Sequence, residues 1–155
     1  MSREDEAMIR LATAGDVEAI RACSREAFSQ YVAAIGKEPA PMLADFGQQV
    51  ADGLVHLLED GNGTFIGYVT FFPEADHLHL ESVAVRSAFA GRGHGKRLVH
   101  FCESEAQRRG FRAVELYTNL LMSANLAIYP RLGYRETGRR EEHGYSRVFY
   151  RKDLA

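Results

Sequence analysis

A turn dense in glycine lies between a strand-like and a helix-like segment of this chain. Residues 89–96 read FAGRGHGK, after the alternating segment HLHLESVAV and before the helix-like run RLVHFCESEAQRRG. A strand that enters a helix through glycines presents unpaired backbone N–H groups at the positive end of the helix dipole, and glycine lets a ligand approach closely. The turn therefore predicts a phosphate-binding site, with Arg92 and Lys96 adding positive charge at its rim.

Two common phosphate-binding motifs do not fit this turn. A Walker A loop requires G-x-x-x-x-G-K-[ST], but the residue five before Gly95 is alanine and the residue after Lys96 is arginine. A dinucleotide fingerprint requires G-x-G-x-x-G, and counted from Gly91 its third glycine would fall on Lys96. The remaining interpretation is a glycine pair, Gly93 and Gly95, that begins a helix late in the chain.

Hydrophobic periodicity and turn residues predict an alternation of strands and helices. In the first half of the chain we expect a strand over 7–11, a helix from about Gly15 to Ala33, a loop over 35–42, a helix over 43–51 and a hairpin over 55–72 with its turn at 61–63. In the second half we expect a strand over 77–85, a helix after the glycine turn, a strand over 111–118, a short helix ended by Gly133, and two strands around the turn 142–144. This order predicts a mixed α/β fold with one central sheet, in a single domain over residues 1–155.

The overall composition narrows the class of protein. A net charge of −2 argues against non-specific nucleic-acid binding, which requires a strongly basic face. No apolar run approaches the ~20 residues that cross a bilayer, and the charged start MSREDEAMIR lacks the apolar core of a signal peptide. We therefore expect a cytoplasmic protein without a membrane partner, in which Cys23 and Cys102 are buried, reduced side chains.

Two segments resemble the GNAT superfamily of acetyl-CoA-dependent N-acetyltransferases. ESVAVRSAFAGRGHGKRLV is similar to the family's pyrophosphate loop, Q/R-x-x-G-x-G/A, in which Gly93 and Gly95 match the glycines and Ala90 replaces the first residue. NLAIYPRLGYRETGR is similar to the family's segment near the C-terminus, with matching residues at Asn125, Tyr129, Leu132, Gly133 and Tyr134.

The resemblance implies a fold, a reaction and a cofactor site. The implied fold is the GNAT acyl-CoA N-acyltransferase fold, a single mixed, mostly antiparallel sheet flanked by helices. The implied reaction transfers the acetyl group of acetyl-CoA to a primary amine of a small molecule or peptide by direct attack in a ternary complex, with no metal. The implied cofactor-binding residues are Val83, Ala84, Val85, Ala90, Gly91, Arg92, Gly93, His94, Gly95, Lys96, Asn119, Asn125 and Tyr129.

Two side chains are candidates for proton transfer. The resemblance places Tyr129 near the thioester sulfur, where a phenol can protonate a departing thiolate. A lysine-like amine, with a pKa of about 10.4, is mostly protonated at pH 7, so a base must accept a proton before attack. Glu81 is the candidate base, on the strand face that a period of two assigns to His77, His79, Glu81, Val83 and Val85. Asn125 either contacts the pantetheine arm or caps its helix.

Alternatives remain open on several points. His77, His79 and Glu81 could supply three zinc ligands, although same-face neighbours on a strand lie ~7 Å apart, a wide spacing for one ion. The fold also allows a non-catalytic acyl-CoA-binding or sensing module. We expect the acceptor to be chosen by the first helices, their loop and the last hairpin, with Phe28, Tyr31 and Glu81 as substrate-binding residues and Phe46 nearby. The resemblance also suggests a homodimer formed through the last strands.

Overall fold

The computed structural model describes Arg3 and residues 6–154, which form a seven-stranded sheet with helices on both faces. The strands are β1 (Met8–Leu11), β2 (Val55–Glu59), β3 (Phe65–Glu74), β4 (His77–Val85), β5 (Ala113–Asn119), β6 (Arg135–Glu142) and β7 (Tyr145–Asp153). The α-helices are α1 (Val17–Phe28), α2 (Val32–Ile35), α3 (Phe46–Ala51), α4 (His94–Arg108) and α5 (Ser123–Arg131). Short 3-10 turns lie at Ala14–Asp16, Ser29–Tyr31, Ala40–Leu43 and Ser87–Phe89.

The strands are ordered β1-β2-β3-β4-β5-β7-β6 across the sheet. Each neighbouring pair is antiparallel except β4 and β5, which are parallel. A parallel pair needs a crossover, and α4 supplies it by running from the end of β4 back to the start of β5. The predicted single, mixed and mostly antiparallel sheet is confirmed.

Alternating strand residues build a core on each face of the sheet. Leu57 and Tyr68 face a cluster with α1 and α3, whereas their neighbours Leu58 and Val69 face a cluster with α4 and α5. The first cluster contains Ile20, Phe28 and Phe46, and the second contains Leu98, Cys102 and Tyr129. The sheet is therefore held between two helical layers.

The N-terminal helices differ from the prediction. The expected continuous helix from Gly15 to Ala33 is interrupted, because α1 ends at Phe28 and a 3-10 turn precedes α2. At this interruption the Gln30 side-chain amide donates to the carbonyl of Ala27 at 2.9 Å. The second helix begins three residues later than expected, at Phe46, because Asp45 caps it by accepting a hydrogen bond from the Gln48 amide at 3.0 Å.

A β-bulge at Glu81 changes which side chains share a face of β4. Thr70 of β3 pairs with Ser82 and Phe71 pairs with Leu80, so Glu81 is an extra residue in the ladder. The expectation that Val83 and Val85 share the face of His79 is therefore wrong. These valines instead join Leu78 and Leu80 in the core on the α4 side.

The described chain was also searched for a membrane crossing. Across Arg3 and residues 6–154, no helix combines the length and the apolar character that a bilayer crossing requires. The N-terminal stretch considered above for a signal peptide includes residues 1, 2, 4 and 5, which lie outside the described residues.

Candidate active site

A cavity opens where β4 and β5 diverge. These strands pair only from His77 with Ala113 to His79 with Glu115, and beyond this point the edge of β4 facing β5 has no strand partner among the described residues. The cavity, with its opening, encloses about 610 Å³. Its walls are formed by Phe28, Pro39, Ala40, Pro41, Leu80, Glu81, Ser82, Val83, Leu116, Tyr117, Thr118, Asn119, Met122, Asn125, Tyr129, Tyr145 and Arg147.

Tyr129 lines this cavity from α5 and is only 7% exposed. Its ring packs edge-on against Tyr134, with centroids 5.8 Å apart, and lies 6.0 Å from the ring of Tyr150. Burial raises the pKa of Tyr129 well above the ordinary value of 10, because the charged phenolate is poorly solvated there. The phenol therefore keeps its proton throughout the neutral pH range.

The structure excludes one of the two roles left open for Asn125. The N-cap of α5 is Met122, so Asn125 does not cap the helix. Its side-chain amide donates to Oγ1 of Thr118 at 3.1 Å, which ties α5 to β5 at the cavity wall. Pro130 lies next to the last residue of this nine-residue helix, consistent with the short helix expected from the sequence.

Glu81 lines the same cavity from β4, at the bulge. Nε2 of His79 donates to Oε2 of Glu81 at 2.9 Å, and the imidazole ring packs between Phe72 and Tyr117. His79 is 8% exposed, so the packed ring fixes the position of the carboxylate. The cavity therefore contains a carboxylate that is held in place.

The three residues considered as zinc ligands belong to two separate clusters. His79 bonds to Glu81, whereas Nδ1 of His77 lies 3.2 Å from a carboxylate oxygen of Asp76 and 3.5 Å from one of Glu115. Arg151 also pairs with Asp76 and with Glu115, and it supplies positive charge to that second cluster. The zinc interpretation is therefore not supported by the arrangement of these side chains.

The glycine turn leads directly into α4. Gly91 and Gly93 have φ angles of +75° and +84°, which side-chain-bearing residues rarely adopt, and α4 begins at His94. The first backbone hydrogen bond along α4 runs from the Arg97 amide to the Gly93 carbonyl at 3.1 Å. Helix geometry leaves the amides of this first turn, including those of Gly95 and Lys96, without an acceptor inside the helix.

Gly95 is not required by close packing among the described residues. Of these, a Cβ built on it would meet only Cγ2 of Val85, at an ordinary contact distance of 3.9 Å. Glycine inside a helix costs up to about 1 kcal/mol relative to alanine. Glycine at this position leaves open space above the first turn of α4.

The other predicted cofactor residues are divided between the cavity wall, the glycine turn and the core. Val83 lines the cavity, Val85 packs between it and α4, and Ala84 faces the opposite core with 5% exposure. Ala90, Arg92 and Lys96 are exposed around the glycine turn, and the Arg92 guanidinium lies 5.9 Å from the Phe89 ring centroid. Asn119 ends β5 in the cavity wall, where its side-chain oxygen accepts from the Leu121 amide at 2.9 Å.

The expected acceptor residues divide into two groups. Phe28 and the loop residues Pro39, Ala40 and Pro41 line the cavity. Tyr31 packs against the core under α1 and is not part of the cavity wall. Phe46, which was expected nearby, is fully buried against Tyr68, with ring centroids 5.7 Å apart, because α3 needs an apolar side chain to pack on the sheet.

Two cavity residues of the last hairpin were not singled out from the sequence. Tyr145 lies over the loop before α3, where its hydroxyl donates to the Glu38 carbonyl at 2.6 Å. Arg147 is 9% exposed although it carries a charge. The period of two along β7 could have revealed it, because it places Arg147 on the same face as Tyr145.

Comparison with known proteins identifies the family. Residues 18–134 match the family model described as "Acetyltransferase (GNAT) family", which covers most of the chain. The chain belongs to this family. The resemblance drawn from the glycine turn and from the segment around Tyr129 is therefore confirmed.

Individual relatives agree with this assignment. The protein named probable N-acetyltransferase 14 from Xenopus tropicalis is 33% identical over 91 residues, a match that covers 57% of this chain and 44% of that protein. This chain therefore matches less than half of the length of that relative. The PaiA N-acetyltransferase from Thermoplasma acidophilum, solved in complex with coenzyme A, has a TM-score of 0.78 with 15% identity, covering 99% of this chain and 100% of that one.

A second solved structure shares the fold. The ribosomal-protein-S18-alanine N-acetyltransferase from Escherichia coli has a TM-score of 0.71 with 18% identity, covering 96% of this chain and 94% of that one. At these identities, the similarity shows the fold alone. Together with the sheet order described above, it confirms the expected GNAT acyltransferase fold.

Proposed function

We propose that this protein transfers an acetyl group from acetyl-CoA to a primary amine while both substrates are bound. The observation that carries this proposal is the gap between β4 and β5, where Tyr129 and Glu81 line one cavity. One side chain is a buried proton donor, and the other is a carboxylate held by His79. A single cavity thus contains an acid and a base for an acyl transfer.

The donor substrate fits the surfaces on the α4 side of this cavity. The N-terminal end of α4 and the open space at Gly95 suit the pyrophosphate, and Lys96 adds charge. Among the described residues the edge of β4 after His79 has no strand partner, so it can hydrogen-bond an extended amide-containing arm, as an added strand would. When bound, acetyl-CoA supplies an activated acetyl group on sulfur.

The residues of the chain then manage the protons and the charge. Glu81 accepts a proton from the acceptor ammonium, directly or through water, which leaves a neutral nucleophilic amine. Backbone N–H groups of β4 polarise the acetyl carbonyl. As the new C–N bond forms and the C–S bond breaks, the Tyr129 hydroxyl donates its proton to the leaving sulfur. The nitrogen loses its second proton as the amide forms, and this proton returns to the Tyr129 oxygen, directly or through water. The products are the N-acetylated acceptor and free CoA.

The alternative of a non-catalytic acyl-CoA sensor is less well supported. A sensor needs no carboxylate in the acceptor part of the cavity and no buried phenol beside it. The deciding experiment incubates the protein with acetyl-CoA and a panel of amines, and records release of free CoA thiol. Amine-dependent thiol release supports the transferase, whereas acetyl-CoA binding without release on any amine would support the sensor.

A further inference from the structure

Arg147 is a buried cation on the acceptor side of the cavity. It lies on β7 and lines the cavity although it is 9% exposed. Its guanidinium carbon lies 4.2 Å from the centroid of the Tyr117 ring, so the ring supports one face of the charged group. The side chain is thus held in a fixed position at the cavity wall.

The hydrogen-bonding capacity of Arg147 is largely unused. Within Arg3 and residues 6–154, its one side-chain hydrogen bond runs from Nη1 to Oε1 of Glu142 at 3.5 Å, the longest distance that qualifies. A guanidinium has five N–H donors, and a buried charge is costly unless it is paired. The cavity therefore presents donors that a ligand can satisfy.

Other arginines of the chain show what a satisfied guanidinium looks like here. Arg10 bonds to Asp16 at 2.9 and 3.0 Å and to Glu59 at 2.7 Å, although it is much more exposed than Arg147. Arg151 pairs with three carboxylates, those of Asp76, Glu115 and Asp153. Arg147 is thus more buried than these arginines and less well paired.

The cavity also combines charges of opposite sign around one ring. Tyr117 contacts Arg147 on one side, and its ring centroid lies 5.4 Å from that of His79, which donates to Glu81. The cavity wall also contains the apolar residues Phe28, Pro39 and Pro41. A small molecule with an amine, a carboxylate and an apolar body complements all three features.

We propose that the acceptor is an amino acid whose carboxylate binds to Arg147. The planar guanidinium matches a carboxylate with two parallel hydrogen bonds, and the amine is thereby directed towards Glu81. This inference rests on the proposed acetyl transfer. Arg147 lies outside residues 18–134, the part of the chain that matches the family model, which agrees with a role in this protein's choice of acceptor.

The test measures binding of acceptors in the presence of saturating CoA, which carries no acetyl group and allows no reaction. Calorimetry compares the twenty free amino acids with their C-terminal amides, which keep the amine and lose the carboxylate. We expect at least one amino acid with an apolar side chain to bind at least tenfold more tightly than its amide. In Arg147→Met this preference disappears, and in Arg147→Lys it is reduced.

A control is Arg108→Met on α4. Arg108 pairs with Glu105 at 2.7 Å on the surface and does not line the cavity between β4 and β5, so the preference should remain. Thermal melting shows whether each variant is folded. If both Arg147 variants unfold, the inference is tested on the unaltered protein, by comparing the affinity of each amino acid with that of its amide.

The inference is overturned if no amino acid binds, if amides bind as tightly, or if Arg147→Met retains the preference. The proposed acetyl transfer fails in a different way. In that case amino acids bind more tightly than their amides, but no free CoA thiol is released when acetyl-CoA is added with any of them. The two failures are therefore distinguishable.

Discussion

Nε2 of His79 lies 2.9 Å from Oε2 of Glu81, and this contact forms where the bulge in β4 makes Glu81 an extra residue between two ladder pairs. A bulge redirects a side chain that regular pleating would place elsewhere. Here it places the carboxylate in the cavity and leaves His79 packed between two aromatic rings. The base of the proposed reaction is therefore positioned by backbone geometry and by ring packing together.

Glu81→Gln should lower kcat by about 10²-fold or more at pH 7, because the amide cannot accept a proton from the acceptor ammonium. The deficit should narrow as the pH rises towards the pKa of the acceptor amine, since more of the acceptor then arrives neutral. A pH–rate profile of both proteins checks this. A deficit that stays constant from pH 7 to 10 would show that Glu81 acts in some way other than as the base.

Tyr129→Phe should lower the rate of the chemical step by about 10²-fold or more while acetyl-CoA affinity stays within about twofold. Single-turnover kinetics and calorimetry measure the two quantities. Because burial raises the pKa of Tyr129 above 10, the unaltered enzyme should not lose this proton below pH 10. Equal turnover in the variant would remove Tyr129 as the acid.

Tyr134→Phe is the matched control for that variant. The Tyr134 hydroxyl donates to Glu103 at 2.8 Å, so its removal should lower the free energy of unfolding by about 1–3 kcal/mol. Because Tyr134 does not line the cavity, kcat should change little once the variant is folded. Denaturant unfolding and steady-state kinetics separate the two effects.

Gly95→Ala should stabilise the protein and weaken its binding to acetyl-CoA. Alanine favours a helix by up to about 1 kcal/mol over glycine, and the added Cβ has room against Val85. The same methyl group occupies the space assigned to the pyrophosphate, so the Kd should rise at least tenfold. In Gly47→Ala, on α3, the Cβ also has an ordinary contact, at 3.5 Å from Asp45, and binding should be unchanged. An unaltered Kd in Gly95→Ala would contradict the phosphate site.

Asp16→Asn should lower stability at neutral pH but not in strong acid. Hydrogen bonds from Arg10 hold the pKa of the Asp16 carboxyl at about 2, below the ordinary 3.8. Because the pKa of Asp16 is lower in the folded than in the unfolded protein, its ionised carboxylate adds to the free energy of unfolding above about pH 4. This stabilisation is lost as the pH falls towards 2. If the ion pair between Arg10 and Asp16 stabilises the fold by about 1 kcal/mol, its loss lowers Tm by about 2–4 °C. A difference between the variant and the original protein that persists at pH 2 would contradict this assignment.

The sequence predicted the strands and the glycine turn well, because each depends on a local pattern. Alternation along 77–85 and glycines at 91, 93 and 95 were enough to place β4 and the start of α4. The bulge at Glu81 was not predictable, since it depends on the pairing of β4 with β3. The change from α-helix to a 3-10 turn after Phe28 was missed because the apolar spacing at Phe28 and Tyr31 suits either type of turn.

Some residues of the candidate site were predicted from local motifs, whereas those brought in by distant segments were missed. Tyr129, Glu81, Val83 and Phe28 all line the cavity, but Arg147 and Tyr145 reach it only through the folding of the last hairpin over the loop before α3. Tyr31 and Phe46 are aromatic residues of a type common in binding surfaces, yet both pack in the core under α1. Contacts between distant segments decided these positions.

Calorimetric titration of the protein with acetyl-CoA, with CoA, ATP and NAD as comparisons, tests the proposed donor site most directly. We expect acetyl-CoA and CoA to bind and ATP and NAD to bind far more weakly, because only the first two carry the pantetheine arm proposed to lie along the β4 edge. Equal or tighter binding of ATP or NAD, or no binding of acetyl-CoA, would contradict this proposal and remove the roles given to Glu81 and Tyr129.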